Sequence, residues 1–258
     1  LAMCTAAGAL CAAGAVAQPL LPEPKPDPVV EPGAGPVPFP HPVITEIFFH
    51  GLPRAMGGDA NLDGQRSVTG DEFVELVNPH DQPIELGGYQ ILDGQPNPEW
   101  RLTWTFPQMT LAPGERVVVF NGFRQDEIPG ADGTTDRAPR MKNPHFGDAW
   151  VFSMRVLEPW RAFTNEADFV LLRAPDGVDI DVIAWGANPE RAMEPPTDAM
   201  RFARVMPEPV GSYQRIDPFG PIMLHKDIDG RTYSPGEIPA PSPENAAGNP
   251  AEDGAQGG

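Results

Sequence analysis

The sequence predicts an all-β protein, an antiparallel β-sandwich carrying one long insertion, and three observations carry that prediction. Short runs rich in Val, Ile, Phe and Trp recur between turn signals. No segment sustains a 3.6-residue apolar period. Finally, 34 Pro and 27 Gly among 258 residues assign much of the chain to turns and linkers. Many short strands joined by Gly/Pro turns close into a sandwich or a barrel.

The first 17 residues, LAMCTAAGALCAAGAVA, are small and apolar and end on Ala15-Val16-Ala17, an A-x-A cleavage pattern. They read as an export signal that lacks its basic start, with a secreted, periplasmic or cell-surface protein as the expected product. Cys4 and Cys11 both lie inside this run, so cleavage leaves no thiol for a disulfide or a thiolate metal site. Residues 18–42, QPLLPEPKPDPVVEPGAGPVPFPHP, carry proline too densely for a ladder or helix and read as a Pro-rich linker of polyproline II type. The folded domain is expected over residues 43–238, and residues 239–258 as a disordered tail too poor in apolar side chains to offset the entropy of ordering.

Within that domain the expected strands are Val43–His50, Glu72–Asn78, Ile84–Leu92 with a break at Gly87-Gly88, Arg101–Phe106 and Arg116–Asn121. Later ones are Ala149–Val156, Asp168–Arg173, Val178–Trp185 and Ser212–Ile216. Asp176-Gly177 is a hairpin signal between two of them, and Ala112-Pro113-Gly114 turns the chain into another. The stretch 122–164 is longer than a sandwich connection needs. Its Trp150, Phe152, Trp160 and Phe163 favour an ordered flap.

Five pieces, VITEIFF, GDEFVELVNP leading to IELGGYQILDG, TFPQMTLAPGERVVVF, TNEADFVLLRAPDGVDIDVIAWG, and GSYQRIDP with a later YSPGEIP, follow one another over residues 43–238. In wording and order they resemble the lamin tail domain and its bacterial relatives. The resemblance implies an immunoglobulin-like β-sandwich that acts as a binding or structural module. Eukaryotic members are associated with nucleic acid and chromatin. The insertion and the acidity here depart from that pattern.

Charge excludes some partners. With Asp and Glu at 36 against Lys and Arg at 18, the formal net charge is -18. Nucleic-acid binding requires clustered cations to displace counterions, and nothing here is denser in them than Arg137, Arg140 and Lys142. The sharpest chemical motif is Asp59-Ala60-Asn61-Leu62-Asp63-Gly64-Gln65, whose D-x-N-x-D-G spacing places oxygen side chains at loop positions 1, 3 and 5 and glycine at the sharp turn, as a short calcium loop requires. Position 12 holds Gly70 instead of a bidentate acid. Asp71 or Glu72 would have to close the shell, with Gln65 contributing its carbonyl. The Ca²⁺ candidate set is therefore Asp59, Asn61, Asp63, Gln65, Asp71 and Glu72. The competing reading is an Asx-rich turn that caps itself without an ion.

Glu46 and Glu75 stand in mid-strand among apolar neighbours, either as an acid/base pair or as acceptors that fix strand pairing. The second reading is favoured because no nucleophile accompanies them. Asp227 and Asp229 in HKDIDG read as a solvated turn. The histidines are scattered, and no phosphate-binding glycine loop or nucleophile elbow is present. The expected function is an exported, non-catalytic module presenting loops to a protein or glycan partner, with a metal-assisted hydrolase as the alternative.

Overall fold

The computed structural model describes residues 36–50, 58–124, 128–188, 190, 192–207 and 210–240. The expected export signal, most of the linker and the expected tail beyond residue 240 lie outside them. The apolar runs form strands β1 (Val43–Phe48), β2 (Phe73–Val77), β3 (Ile84–Glu85), β4 (Gln90–Asp93), β5 (Thr103–Thr105), β6 (Thr110–Leu111) and β7 (Arg116–Phe120). After these come β8 (Trp150–Ser153), β9 (Asp168–Arg173), β10 (Asp179–Trp185), β11 (Arg201–Val205), β12 (Tyr213–Gln214) and β13 (Met223–Leu224), then the single helical turn α1 (Lys226–Asp229). The expected strand over 84–92 splits at its glycine pair into β3 and β4.

A six-stranded sheet in the order β13-β12-β1-β2-β7-β8 faces a five-stranded sheet in the order β11-β10-β9-β4-β5, and β3 pairs with β6 as a small third sheet. Pairing is antiparallel except at two edges, where β8 runs parallel to β7 and β11 parallel to β10. This departs from a purely antiparallel sandwich, and the reason is connectivity. A parallel neighbour needs a long crossover, and residues 121–149 and 186–200 supply one at each edge.

The core does not stop at the space between the sheets. Val74, Leu76, Val117 and Val119 point inward to meet Ile91, Trp104, Val170, Leu172 and Ile183. Phe48, Phe73, Val118, Phe120 and Val151 point to the other side of the six-stranded sheet, where Phe146, Ile128 and Tyr233 cover them. Ile128 and Phe146 thus help seal an outer face, with a 3₁₀ turn at Pro144–Phe146 placing Phe146 against Phe120. A third cluster around Phe169, Val182 and Phe202 seals the outside of the second sheet. Strands buried on both faces read as continuous apolar runs instead of alternating ones, which is why β1 and β2 show no exposed position.

The packed body also begins before the expected boundary at 42. Val37 is buried in the central core, and His41 Nδ1 lies 2.7 Å from the Tyr89 hydroxyl. At the far end, β12 pairs with β1 and extends the sheet, with β13 as its edge.

Between the sheets sits an ion pair. Asp181 of β10 and Arg215, just after β12, are 3.1 Å apart and almost wholly buried. The same Asp181 oxygen accepts the backbone N–H of Ile44 in β1 at 2.9 Å, while Arg215 Nη1 donates to the Ile44 carbonyl. One contact therefore joins β1, β10 and the C-terminal segment. Breaking a buried pair strands a charge and costs about 3–5 kcal/mol. Arg215→Met is expected to lower the unfolding free energy by about that amount in a urea titration. An Asp181→Leu, Arg215→Met double variant should recover part of the loss.

Candidate functional site

The Asp-rich segment 59–71 folds into a loop held by its own side chains. Asp59 Oδ1 accepts the N–H of Asp63 at 3.1 Å, and its Oδ2 accepts that of Gly64 at 2.9 Å. Asn61 Oδ1 shares the Asp63 N–H at 3.1 Å, and Asp63 Oδ1 takes the N–H of Gln65 at 2.7 Å. Gly64 has φ +85 with open space around its Cβ position, so it is the left-handed backbone and not crowding that calls for glycine. Asp71 closes the loop from its far end. Its Oδ1 accepts from Ala60 and Asn61, and its Oδ2 from Ser67 at 2.6 Å. The loop therefore brings Asp59, Asn61, Asp63 and Asp71 together. Gln65 is exposed at its rim.

Glu72 lies elsewhere. It is directed through β2's start toward Asn121 and Phe163, whose Nδ2 and backbone N–H reach its Oε2 at 3.4 and 3.2 Å. The Asp71 carboxyl is taken up by the N–H groups of Ala60, Asn61 and Ser67 and the Glu72 carboxyl by Asn121 and Phe163, so the two do not meet at one point in the loop. Among the described residues, no group of three or more His, Cys, Asp or Glu side chains is placed to hold a metal ion.

Burial governs the acids. It pushes the Asp71 carboxyl up to about 7, against the hydrogen bond from Ser67, with Asp59 adding to the rise. Asp63 is raised by partial burial, and Asp59 contributes there as well. Glu72 is raised well above the ordinary range by complete burial, opposed by the Phe163 N–H and reinforced by Asp168 and Asp93. Asp93 is raised to about 8 by burial and then by Asp168. The Asp168 carboxyl is raised to about 6 by burial, although it accepts N–H groups from Thr164, Phe169 and Gly94.

Glu46 and Glu75 are cross-strand partners on the outer face of β1 and β2. A bulge between Ile44 and Glu46 turns Ile44 to the inner core while Glu46 keeps the face of Phe48. Glu46 Oε1 accepts the Ser212 hydroxyl at 2.5 Å and the Ser234 N–H at 3.1 Å, and lies 3.1 Å from His225 Nδ1. Glu75 accepts the Thr45 hydroxyl at 2.6 Å and the Gly236 N–H at 2.7 Å, with Arg116 Nε at 3.4 Å. Burial raises Glu75 to about 8, and Glu46 adds to it. Ser212, His225 and Asp229 line up as hydroxyl, imidazole and carboxylate, at 3.2 and 3.4 Å. Ser212, His225 and Glu46 are all 0 % exposed, so no substrate reaches that line. These groups tie residues 212–236 down onto β1 and β2. Nothing in the local sequence of Ser212 or His225 announces the partnership, because the partners are more than 150 residues away. Asp229, expected as part of a solvated turn, sits in the same network and pairs with Arg231 at 2.7 Å.

Residues 43–187 match the family model of the Lamin Tail Domain. The chain belongs to the lamin tail domain family. No curated protein matches it. The family match ends at Ala187, whereas this lamin tail domain carries its fold on to residue 240, and β11, β12, Arg215 and His225 all come from that extension. No helix among the described residues is long and apolar enough to cross a membrane.

The raised carboxyls set a pH dependence. A carboxyl whose folded pKa exceeds its unfolded value binds more protons when folded, so its contribution is complete below about pH 4 and is lost as pH rises through the folded pKa. For Asp168, Asp71, Asp93 and Glu75 that loss runs from about pH 4 to about pH 8. Glu115, Asp132 and Asp229 are held low by their basic partners and work oppositely, losing stability only as the medium becomes more acidic than about pH 4. The melting temperature is therefore expected to be higher near pH 5 than near pH 8.5. Asp93→Asn, which removes the charge facing Asp168, should flatten that decline; an unchanged slope would contradict the assignment.

Proposed function

We propose that the protein is an exported, non-catalytic binding and structural module whose sandwich presents loops to a partner, with a calcium-stabilised loop at residues 59–71. One observation carries the module reading. The carboxylates best suited to acid/base work, Glu46 and Glu75, are fully buried and hydrogen-bonded to the chain's own backbone and hydroxyls. The surface instead displays large apolar side chains on its loops, including Trp100, Met141, Leu157 and Trp160, each about half exposed or more. Exposed apolar groups on ordered loops are partner-facing material. The acidic balance directs the choice of partner away from polyanions.

Calcium is supported by the convergence of oxygens from Asp59 and Asn61 on the Asp63 N–H, and by the effect of Asp59 in raising the carboxyls of Asp63 and Asp71. A divalent ion beside these carboxylates would relieve their repulsion. Because the loop already caps itself, the ion would strengthen it and not create it. Glu72 has no part in this shell, and Asp71 would act from behind it by holding the loop backbone.

A site with a dissociation constant of ~0.1 mM, at ~2 mM Ca²⁺, adds about 1.8 kcal/mol of stability. That corresponds to a melting shift of roughly 4–7 °C for a domain of this size. Scanning the protein with EDTA, Mg²⁺, Zn²⁺ and Ca²⁺ should give the shift with Ca²⁺ alone, and Asp63→Ala should abolish it. Equal melting in EDTA and Ca²⁺ would leave the loop as a self-capped turn. The same preparations assayed on phosphodiesters and phosphomonoesters should show no turnover. Hydrolysis lost in Asp63→Ala would replace the module reading with the metal-assisted one.

A further inference from the structure

Where β2 begins, the Val68-Thr69 turn and the returning end of the insertion enclose a groove of about 270 Å3. Val68, Pro159, Ala162 and Phe163 form its apolar sides, and Glu72 is part of its lining. Glu72 is 2 % exposed. Its Oε2 takes both hydrogen bonds the side chain makes, from Asn121 and Phe163. Oε1 accepts none from the described residues. Oε1 is not among the wholly buried oxygens that lack a partner, so it opens onto the groove, where a ligand's donor can reach it.

The size of the groove narrows the ligand. Sites for whole small molecules run to roughly 300–1,000 Å3, so this one takes a single side chain or ring. Charge narrows it further. The groups that raise the Glu72 carboxyl after burial are two more acids, Asp168 of β9 and Asp93 of β4, with no basic side chain opposing them. Arg161, next to the groove, donates to the Glu99 carbonyl, and Arg101 donates to the Gln95 carbonyl beyond Asp93. Glu166 stands at the rim.

We propose that this groove receives a lysine or arginine side chain from a partner protein, its methylene stem lying along Val68, Pro159 and Phe163 and its cationic head donating to Glu72 Oε1. Long basic side chains bury an apolar stem behind a charged head, and the groove offers apolar sides with a carboxyl at the base. A neutral sugar ring could also donate a hydroxyl to Oε1, but it would bring no positive charge to the Glu72, Asp93 and Asp168 cluster, in which Arg101 acts on Asp93 and no basic side chain acts on Glu72. The proposal rests on the reading of the domain as a binding module and names the chemistry of what it binds.

The test is an amide chemical-shift titration of the whole ¹⁵N-labelled chain with three probes: a capped Gly/Ser hexapeptide holding one central lysine, the same peptide with norleucine, and maltohexaose. The lysine peptide is expected to move the amides of residues 68–72 and 160–166, with the norleucine peptide at least about tenfold weaker. Added salt should weaken the lysine peptide alone. Glu72→Gln should weaken it at least about tenfold. Val68→Arg, an exposed substitution that places a cation of the chain's own over the groove, should do the same and keeps the test decisive if the Glu72 variant fails to fold. Equal affinity for lysine and norleucine, indifference to both substitutions, or silence of the groove amides up to about 5 mM lysine peptide would overturn the proposal. Groove shifts from maltohexaose without a lysine response would overturn the cationic ligand and leave the module reading standing.

Discussion

The Asp181–Arg215 pair is the constraint on which the arrangement of the two sheets depends. It lies between them, and its carboxylate also holds a backbone N–H of β1, so the two layers and the C-terminal segment are fixed relative to one another by a single buried charge contact. Such a pair adds little net stability over an apolar replacement, but it tolerates no misalignment, because either partner alone is a stranded charge. Arg201 extends the same logic. Burial and the neighbouring Arg215 lower its guanidinium to about 10, and it meets the cost by donating to the carbonyls of Pro218 and Gly220. The segment after β12 is thereby pinned at two points.

The outer face of the six-stranded sheet repeats the pattern with carboxylates. Glu46 and Glu75 face each other across β1 and β2, which is unfavourable for two like charges. They are held there because the chain returns over them with Ser212, His225, Ser234 and the N–H of Gly236. Gly236 is needed at that point: a Cβ would fall 2.0 Å from the Phe146 carbonyl oxygen. Insertion and C-terminal segment thus meet over the sheet, and the sandwich becomes a body with covered outer faces. That in turn leaves loop ends as available surface, where the Asp-rich loop and the Glu72 groove adjoin the start of β2 and share the Val68-Thr69 turn.

Much of this was legible in the residues. The strand runs of β1, β2, β7, β9 and β10 stand where their Val/Ile/Phe content places them, and the Asp176-Gly177 hairpin joins β9 to β10. The Asp59–Asp63 loop was recognisable from its spacing, since Asx turns act within five residues. Glu46 and Glu75 were readable as structural acceptors because no nucleophile stood near them. Less legible were β11 and the parallel edges, because RFARV gains its strand only by pairing with β10, and parallel pairing depends on a crossover with no local signature. The separation of Asp71 from Glu72 also escaped the spacing argument. A ligand count treats neighbours as interchangeable, whereas here the turn before β2 gives Asp71 to the loop's N–H groups and Glu72 to Asn121 and Phe163.

By itself, the amino-acid order determined what acts over short distances: which runs extend, where glycine and proline turn them, which acids cap their own loop, and the charge that disfavours polyanions. Tertiary structure alone decided which acids are buried and what faces them. Burial and opposing charge depend on atoms brought from the far ends of the chain, as with Glu46 meeting Ser212 and His225, Asp181 meeting Arg215, and Glu72 meeting Asn121 and Phe163.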